Sequence, residues 1–376
     1  MNFHDVFLLR TLLYKVCRGW IMEEAISVRN MKAIAVIEKG VVKVVDDVPI
    51  PEFGDYGALC RVYACGFCNG TDLQIIHDKT GPQQAFMGFP TILGHEGAGE
   101  VIEVGKKVRY IQPGDRFIHP NLHAQAGNGY TKTYGGMAQF GLVCDQKAMV
   151  EDGVCGEEEV PFYKKQGAFP KNISFEDAAM LLSLSECLSA AVNFGVQKGD
   201  SVLLYGAGPM GAALALFMKL RGAARVTVID GVPGRLERVL RVARADRAID
   251  FIRQDVNKEL SGESFDMVID AVGMSDILLK ASHLLRPGGK VCALGVLKKD
   301  DCMLDVSRFK SNTCLHVLNF PCGEYDLLSE TIRYVESGDV NPKDFYSHVV
   351  PFEEIDRALE LVMTREAFKV VLDFSM

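Results

Sequence analysis

Two cysteines separated by two residues, Cys65 and Cys68, form the first pair in the chain whose spacing suggests chemistry. Such a pair can be half of a structural zinc site, a redox dithiol, or one metal-binding thiolate beside a buried neighbour. A structural zinc site needs a second Cys-x-x-Cys, which the other nine cysteines do not form. A redox dithiol needs exposed thiols at a helix start, whereas this pair follows a strand-like run. The pattern therefore predicts one working thiolate and one bystander.

A glycine pattern in the second half of the chain predicts a nucleotide site. Gly206, Gly208 and Gly211 lie between a β-branched run and an apolar helix, in the context that dinucleotide-binding turns require. They would permit a tight turn, close approach of the backbone to a pyrophosphate, and close helix packing. Pro209 occupies a position where a missing N–H costs little, and Met210 completes the predicted cofactor-binding loop.

An acidic residue ends the next predicted strand. Asp230 follows Gly211 by 230 − 211 = 19 residues, where a carboxylate can hold the adenosine ribose hydroxyls and repel a 2′-phosphate. Arg235 is the nearest basic residue and a further candidate for cofactor contact. We expect NAD rather than NADP. The alternative is a βα turn without ligand, in which Asp230 only caps a turn.

The segment "LGHEGAGEVIEVG" places His95 and Glu96 between glycines. With Cys68, the chain resembles the zinc-dependent medium-chain dehydrogenases, the alcohol and polyol dehydrogenase superfamily, from Met31 to the C-terminus. The matching segments are "ACGFCNGTD", "GHEGAGEVIEVG", "QPGDRF", "GGMAQF", "GAGPMG", "RPGGKV" and "KVVL". The resemblance implies a zinc-dependent oxidoreductase that transfers hydride between a secondary alcohol and NAD.

The resemblance also implies a ligand set for one catalytic zinc. Its ligating cysteine corresponds to Cys68 and its histidine to His95. The third ligand lies on a helix, where "LSECL" resembles the sorbitol dehydrogenase branch and makes Glu186 the candidate, with Cys187 as a rival. Adjacent helical side chains point about 100° apart, so only one should face the metal. We prefer Glu186, because a glutamate in an apolar helix needs a reason. Glu96 is an alternate or fourth ligand and a further catalytic candidate.

Two neighbouring residues resemble the family's proton-handling and orienting groups. Thr71 corresponds to the hydroxyl that takes the alcohol proton, and Asp72 to the carboxylate that orients the histidine ligand. Where many members carry a proton-exit histidine, this chain has Gln74, and His77 follows one turn later. Proton release is therefore expected through His77 or through water.

The cysteine-rich lobe that holds a structural zinc in many members is missing. No cysteine occurs between Cys68 and Cys144, so we expect one zinc rather than two. His119 and His123 lie in that stretch and are predicted to be loop residues rather than ligands.

The elements that must position these residues change character along the chain. Short β runs separated by Gly and Pro predict an antiparallel, barrel-like first half. A helical pattern over 174–195 opens with a cap at Ser174, and strands then alternate with helices, which predicts a parallel sheet. The fold class is α/β, a GroES-like β-barrel-type catalytic domain plus a doubly wound Rossmann domain. The expected domains are an N-terminal extension at 1–30, a catalytic domain at 31–190 and 322–376, and an NAD-binding domain at 191–321.

Composition limits the partners and the compartment. The 376-residue chain carries a net charge of −8, which argues against nucleic acid and anionic membranes. No apolar run reaches the roughly 18 residues of a membrane helix. Eleven scattered cysteines fit a reducing compartment, so we expect a cytoplasmic protein. The resemblance implies a homodimer or homotetramer, and "KVCALGV" could supply a paired edge. Residues 1–30 could be a weak transit segment, but a mis-assigned start is the favoured interpretation.

Two other functions remain open at this stage. One is a zinc-free reductase of the same superfamily, against which the Cys/His/Glu set argues. The other is a non-enzymatic nucleotide-binding protein with a structural or regulatory role. A polyol or sugar-like substrate is favoured by the glutamate ligand and the resemblance alone.

Overall fold

The computed structural model describes residues 29–80, 86–156, 165–297, 300–301 and 303–375. All but the last two residues of the predicted N-terminal extension lie outside these ranges. The strands in the described part are β1 Asn30–Glu38, β2 Val41–Pro49, β3 Gly57–Gly66, β4 Thr91–Ile92, β5 Glu96–Val104, β6 Arg116–Ile118, β7 Gln125–Gly127, β8 Tyr130–Lys132, β9 Phe140–Cys144, β10 Gly167–Phe169, β11 Ser201–Tyr205, β12 Arg225–Asp230, β13 Arg247–Asp250, β14 Phe265–Asp270, β15 Leu285–Ala293, β16 Cys314–Val317, β17 His348–Pro351 and β18 Val370–Asp373.

Ten α-helices accompany them within the same ranges. They are α1 Thr71–Ile76, α2 Gln146–Glu151, α3 Phe175–Ala178, α4 Leu181–Phe194, α5 Pro209–Leu220, α6 Pro233–Arg241, α7 Val256–Glu259, α8 Ser275–Ser282, α9 Leu328–Glu336 and α10 Ile355–Met363. None of these helices combines the length and the hydropathy needed to cross a membrane.

Two mainly antiparallel sheets form the barrel-like part of the molecule. One has the order β2-β1-β4-β8-β7; the other has the order β10-β6-β5-β3-β18-β17, with β9 also paired to β3. The β3–β5 register sets Gly66 opposite Glu96, and β18 brings Val371 opposite Gly66. The turn after β3, the start of β5 and the start of β18 therefore meet at one place.

The remaining sheet has six parallel strands in the order β13-β12-β11-β14-β15-β16. Its central strands β11 and β14 are buried along most of their length, as expected when helices cover both faces of a parallel sheet. The strand order reverses between β11 and β14, and ligands bind at such a switch point. The predicted α/β fold, with a GroES-like domain and a Rossmann sheet, is confirmed.

The predicted helix over 174–195 is two helices, because Ala179 and Met180 form a turn between α3 and α4. The Ser174 cap is present, since its Oγ accepts the Asp177 N–H at 3.2 Å.

Two strand predictions also differ from the structure. One of the short β runs predicted in the first half, "MAQFGLV" at 137–143, becomes a strand only from Phe140, and Ala138 forms an isolated bridge to Ala33. The "KVCALGV" segment does not supply a free edge. Its strand β15 is paired on both sides, and β16 forms the edge instead.

Candidate active site

The cysteine turn connects the end of β3 to α1. Cys68 is half-buried in this turn, and its Sγ accepts the Thr71 backbone N–H at 3.4 Å. Its own backbone N–H donates to Asp72 Oδ2 at 2.8 Å. The turn thus sets the sulfur beside Thr71, the residue predicted to accept the substrate proton.

The other cysteine of the pair lies in the core. Cys65 is fully buried in a cluster that includes Phe67, Leu93 and Met137. Burial raises the pKa of the Cys65 thiol well above its usual value, which disfavours a thiolate. This is the environment expected of the bystander.

A tight group of potential ligands forms where β3 and β5 meet. The sulfur of Cys68, a ring nitrogen of His95 and a carboxylate oxygen of Glu96 all lie within 4.8 Å of one another. His95 Nε2 is 3.7 Å from Glu96 Oε1, and both side chains are buried. Sulfur, imidazole and carboxylate are the donor types that zinc takes in proteins.

Glu186 lies outside that tight group, but its carboxyl group interacts electrostatically with all three members of the group. Burial raises the pKa of Glu186 to about 8; His95 opposes this rise, while Glu96 and Cys68 add to it. Its carboxylate has no hydrogen bond or lysine or arginine partner among the residues that the structure describes. Cys187 is directed elsewhere on α4, since its thiol donates to the Met210 carbonyl at 3.3 Å. Of the two adjacent side chains, Glu186 therefore interacts with the potential ligand group and Cys187 with the start of α5.

A buried lysine, absent from the predicted site residues, holds Glu96. Lys369 Nζ lies 2.6 Å from Glu96 Oε1 and 2.5 Å from Oε2, and Ser183 Oγ donates to Oε1 at 2.7 Å. Burial opposes ionisation, but Lys369 outweighs it and lowers the pKa of Glu96. Lys369 is 3% exposed. The signal in the sequence was a lysine at the start of the apolar "KVVL" run, because lysine is almost never fully buried unless it is paired.

Several polar atoms around Cys68 have no partner in the described part of the chain. Asn69 Oδ1, Asp72 Oδ1, Gln74 Oε1 and His95 Nδ1 are buried without a hydrogen bond. Each such atom costs about 1–3 kcal/mol unless a partner satisfies it. The cluster of unpaired atoms beside a sulfur, an imidazole and two carboxylates fits a bound zinc ion and a polar substrate.

The structure also shows the contacts of Asp72 and of the two loop histidines, His119 and His123. Asp72 braces the Cys68 turn and makes no hydrogen bond to His95; burial raises its pKa to about 7, and His95 opposes the rise. His119 is buried, whereas His123 bonds the Glu52 carbonyl at the surface. Neither loop histidine belongs to the ligand group.

The glycine loop has the predicted geometry. Gly206 has φ of +104°, which the tight turn requires, and a Cβ at Gly211 would collide with the Gly206 carbonyl oxygen. Pro209 is in the first turn of α5, after Gly208 at its N-cap. The backbone at Gly208 is open except for the Arg235 guanidinium, whose Nη1 lies 3.9 Å from where a Cβ would be.

Asp230 holds this loop in place. Its Oδ2 accepts the Ala207 N–H at 2.7 Å, and its Oδ1 accepts the Val232 N–H at 2.9 Å. Arg235 has no ion-pair partner in the described ranges; burial lowers its pKa, and Asp230 opposes that shift. A carboxylate and a guanidinium without an ion-pair partner in the described ranges thus flank the loop.

Comparison with known proteins identifies both parts of the chain. A family model described as "Alcohol dehydrogenase GroES-like domain" matches residues 54–156, and one described as "Zinc-binding dehydrogenase" matches 209–334. The chain is 27% identical over 345 residues to D-arabinitol dehydrogenase 1 of Uromyces fabae, covering 87% of this chain and 92% of that protein. It is also 27% identical over 346 residues to sorbitol dehydrogenase of Ovis aries, with the same coverage of both.

A solved structure agrees with these matches. Alcohol dehydrogenase TADH from Thermus sp. ATN1 superimposes with a TM-score of 0.74 at 27% identity, covering 91% of this chain and 99% of that one. The cysteine turn and the His-Glu strand lie in the first matched domain, and the second matched domain begins within the glycine loop, at Pro209. The chain is an oxidoreductase that belongs to the zinc-dependent medium-chain dehydrogenase superfamily, in its alcohol and polyol dehydrogenase family.

Proposed function

We propose that the chain oxidises a secondary alcohol of a polyol or sugar-like substrate with NAD and holds one zinc ion on Cys68, His95 and Glu186. The observation that carries the proposal is the group of a sulfur, an imidazole and the Glu96 carboxylate within 4.8 Å of one another, with the buried Glu186 on α4 coupled to it electrostatically. The names of the relatives, D-arabinitol dehydrogenase and sorbitol dehydrogenase, support a polyol.

The choice between the two carboxylates rests on their partners. Both Glu96 oxygens lie against Lys369, so that charge is already neutralised. Glu186 makes no ion pair within 4.0 Å among the described residues, and Lys369 acts on it only at longer range. A partly buried carboxylate without a close partner gains most from a bound metal. Glu96, within 4.8 Å of the other two ligand atoms, is the carboxylate that can enter the site when Lys369 releases it.

The residues of the chain then divide the work. Zinc, when bound, is the Lewis acid that makes an alcohol oxygen easier to deprotonate. Thr71, fixed to the Cys68 sulfur through its N–H, would take the alcohol proton onto its hydroxyl oxygen as it gives its own hydroxyl proton to His77 or to water. NAD, when bound, is the hydride acceptor. The α5 start would hold its pyrophosphate, and Asp230 would accept its ribose hydroxyls.

The test is an assay of purified protein with NAD⁺ and sorbitol, xylitol and arabinitol, following NADH absorbance, with NADP⁺ in parallel and zinc measured per chain. We expect turnover with NAD⁺ and one zinc. Glu186→Gln should lose zinc or activity, whereas its neighbour Cys187→Ala should keep both. Two tightly held zinc ions, or zinc loss in Glu96→Gln but not in Glu186→Gln, would contradict the proposed ligand set. The predicted dimer or tetramer and the cytoplasmic location stay predictions.

A further inference from the structure

A chain of hydrogen bonds runs from Lys132 at the end of β8, through the loop after β6, to the segment after β16. Lys132 Nζ donates to Asn121 Oδ1 at 2.7 Å, and Asn121 Nδ2 is 3.3 Å from His119 Nε2. His119 Nδ1 is 2.5 Å from the Tyr325 hydroxyl oxygen. His119 and Asn121 are 3% and 2% exposed. The sequence pattern predicted only a loop at His119 and no role for the others.

The direction of each hydrogen bond follows from the donors at Asn121. Its Oδ1 also accepts the Leu122 backbone N–H at 2.9 Å, and a backbone N–H can only donate. The other end of the Asn121 amide is therefore the NH₂ group, which donates to His119 Nε2. A histidine that accepts at Nε2 carries its proton on Nδ1, so Nδ1–H donates to the Tyr325 oxygen.

The consequence is a tyrosine hydroxyl whose own hydrogen remains available. Tyr325 accepts from His119, and its hydrogen has no acceptor among the residues that the structure describes. Burial lowers the pKa of His119 to about 3, with His95 and Lys132 adding to the shift, so the ring stays neutral as this arrangement requires. Its ring stacks on the Tyr325 ring at an interplanar angle of 13°.

Tyr325 is connected to the ligand group through neighbouring rings and charges. Tyr134 stands between the two regions, with its ring centroid 5.0 Å from that of His95 and 6.5 Å from that of His119. Glu186 acts electrostatically on the hydroxyls of both Tyr134 and Tyr325.

The loop that carries Tyr325 is attached to α4, the helix that also carries Glu186. Ser185 Oγ donates to the Glu324 carbonyl at 2.5 Å, and Ser189 Oγ donates to the Cys322 carbonyl at 2.6 Å. Because both contacts are made by α4, they hold Tyr325 in a fixed position relative to Glu186.

We propose that Tyr325 donates a hydrogen bond to a second oxygen of the substrate, beyond the one that is oxidised, and thereby favours polyols over alcohols with a single hydroxyl. The inference rests on the proposed function, because it assigns a substrate contact within that site. His119, Asn121 and Lys132 are positioning residues that keep the Tyr325 hydrogen directed away from the protein. A site built to bond a substrate hydroxyl discriminates strongly against an analogue that lacks it.

The experiment compares xylitol with 2-pentanol, which share a five-carbon chain and a secondary alcohol. The readout is the ratio of kcat/KM for xylitol to that for 2-pentanol, with zinc content and unfolding temperature measured in parallel. Tyr325→Phe should lower the ratio about tenfold or more, mainly by raising KM for xylitol. Tyr346→Phe is the matched control, because its hydroxyl bonds Asp177 at 3.0 Å and belongs to no part of the site. The control ratio should stay within about twofold of wild type.

A second variant separates positioning from folding. His119→Phe keeps an aromatic ring but frees the Tyr325 hydroxyl to turn, so it should lower the same ratio less than Tyr325→Phe does. Should Tyr325→Phe fail to fold, the His119→Phe ratio decides the matter.

An unchanged ratio, or an equal loss on both alcohols, would overturn the assignment of Tyr325. A wild-type enzyme without turnover on any polyol would instead refute the proposed function, which distinguishes the two failures.

Discussion

Six consecutive residues, 206–211, form the turn of the nucleotide site, whereas Glu96 and Lys369 of the metal region are 273 positions apart in the chain. The nucleotide turn works through its backbone: a positive φ, a helix start and a close approach that only glycine allows. The metal region works through side chains that several strands and a helix bring together. Spacing along the chain is therefore sufficient to recognise the first region, while the second depends on sheet register.

The largest expected effect is the loss of zinc and activity when the Cys68 sulfur of the metal region is removed. Cys68→Ser should lose zinc and lower kcat/KM by about a thousandfold or more, since the metal supplies several kcal/mol of transition-state stabilisation. Cys65→Ser should keep zinc and cost about 1–2 kcal/mol of unfolding free energy, because it buries a hydroxyl. Zinc content, NADH formation and urea unfolding measure these outcomes. Equal zinc loss in both variants would mean that both sulfurs are ligands.

The next effect concerns the longest-range contact of the metal region. Lys369→Met leaves the Glu96 charge buried without its cation, so the free energy of unfolding of the zinc-free protein should fall by about 3–5 kcal/mol. Lys32→Met is the control, since Lys32 is 47% exposed in its 3.4 Å pair with Glu353. That exposed pair should contribute less than about 1 kcal/mol. Similar small losses in both variants, measured by urea unfolding, would show that Lys369 is not the partner that holds Glu96.

A smaller effect is expected from glycine substitutions in and near the nucleotide site. Gly211→Ala places a methyl group against the Gly206 carbonyl, so it should cost about 1–3 kcal/mol of stability and weaken NAD binding in a fluorescence titration. At Gly234 in α6, a Cβ would meet no heavy atom within 4 Å, so Gly234→Ala should stabilise the protein by up to about 1 kcal/mol. A Gly211→Ala protein with unchanged NAD affinity would show that the loop tolerates movement of α5.

The predictions that were correct come from local patterns. The strand predicted to end at Asp230 is β12, Arg225–Asp230, and the apolar helix predicted beside the glycine turn is α5, Pro209–Leu220. The Ser174 cap needed only a hydroxyl and an N–H three residues later. The prediction that "KVCALGV" forms an edge of the parallel sheet was wrong, because nothing in that segment reveals that Cys314–Val317 pairs beside it.

What the sequence by itself determined are the features that depend on neighbouring residues: the glycine turn, Asp230 at the end of its strand, the cysteine turn before Thr71, and the His-Glu pair. Only the tertiary structure decided which carboxylate is already neutralised, since Lys369 reaches Glu96 through the pairing of β18 with β3. It also placed His119 against Tyr325, 206 positions away, and gave Asp72 the Cys68 N–H rather than His95 as its partner. The physical reason is that a buried charge or donor is defined by what surrounds it in space, which the order of residues does not record.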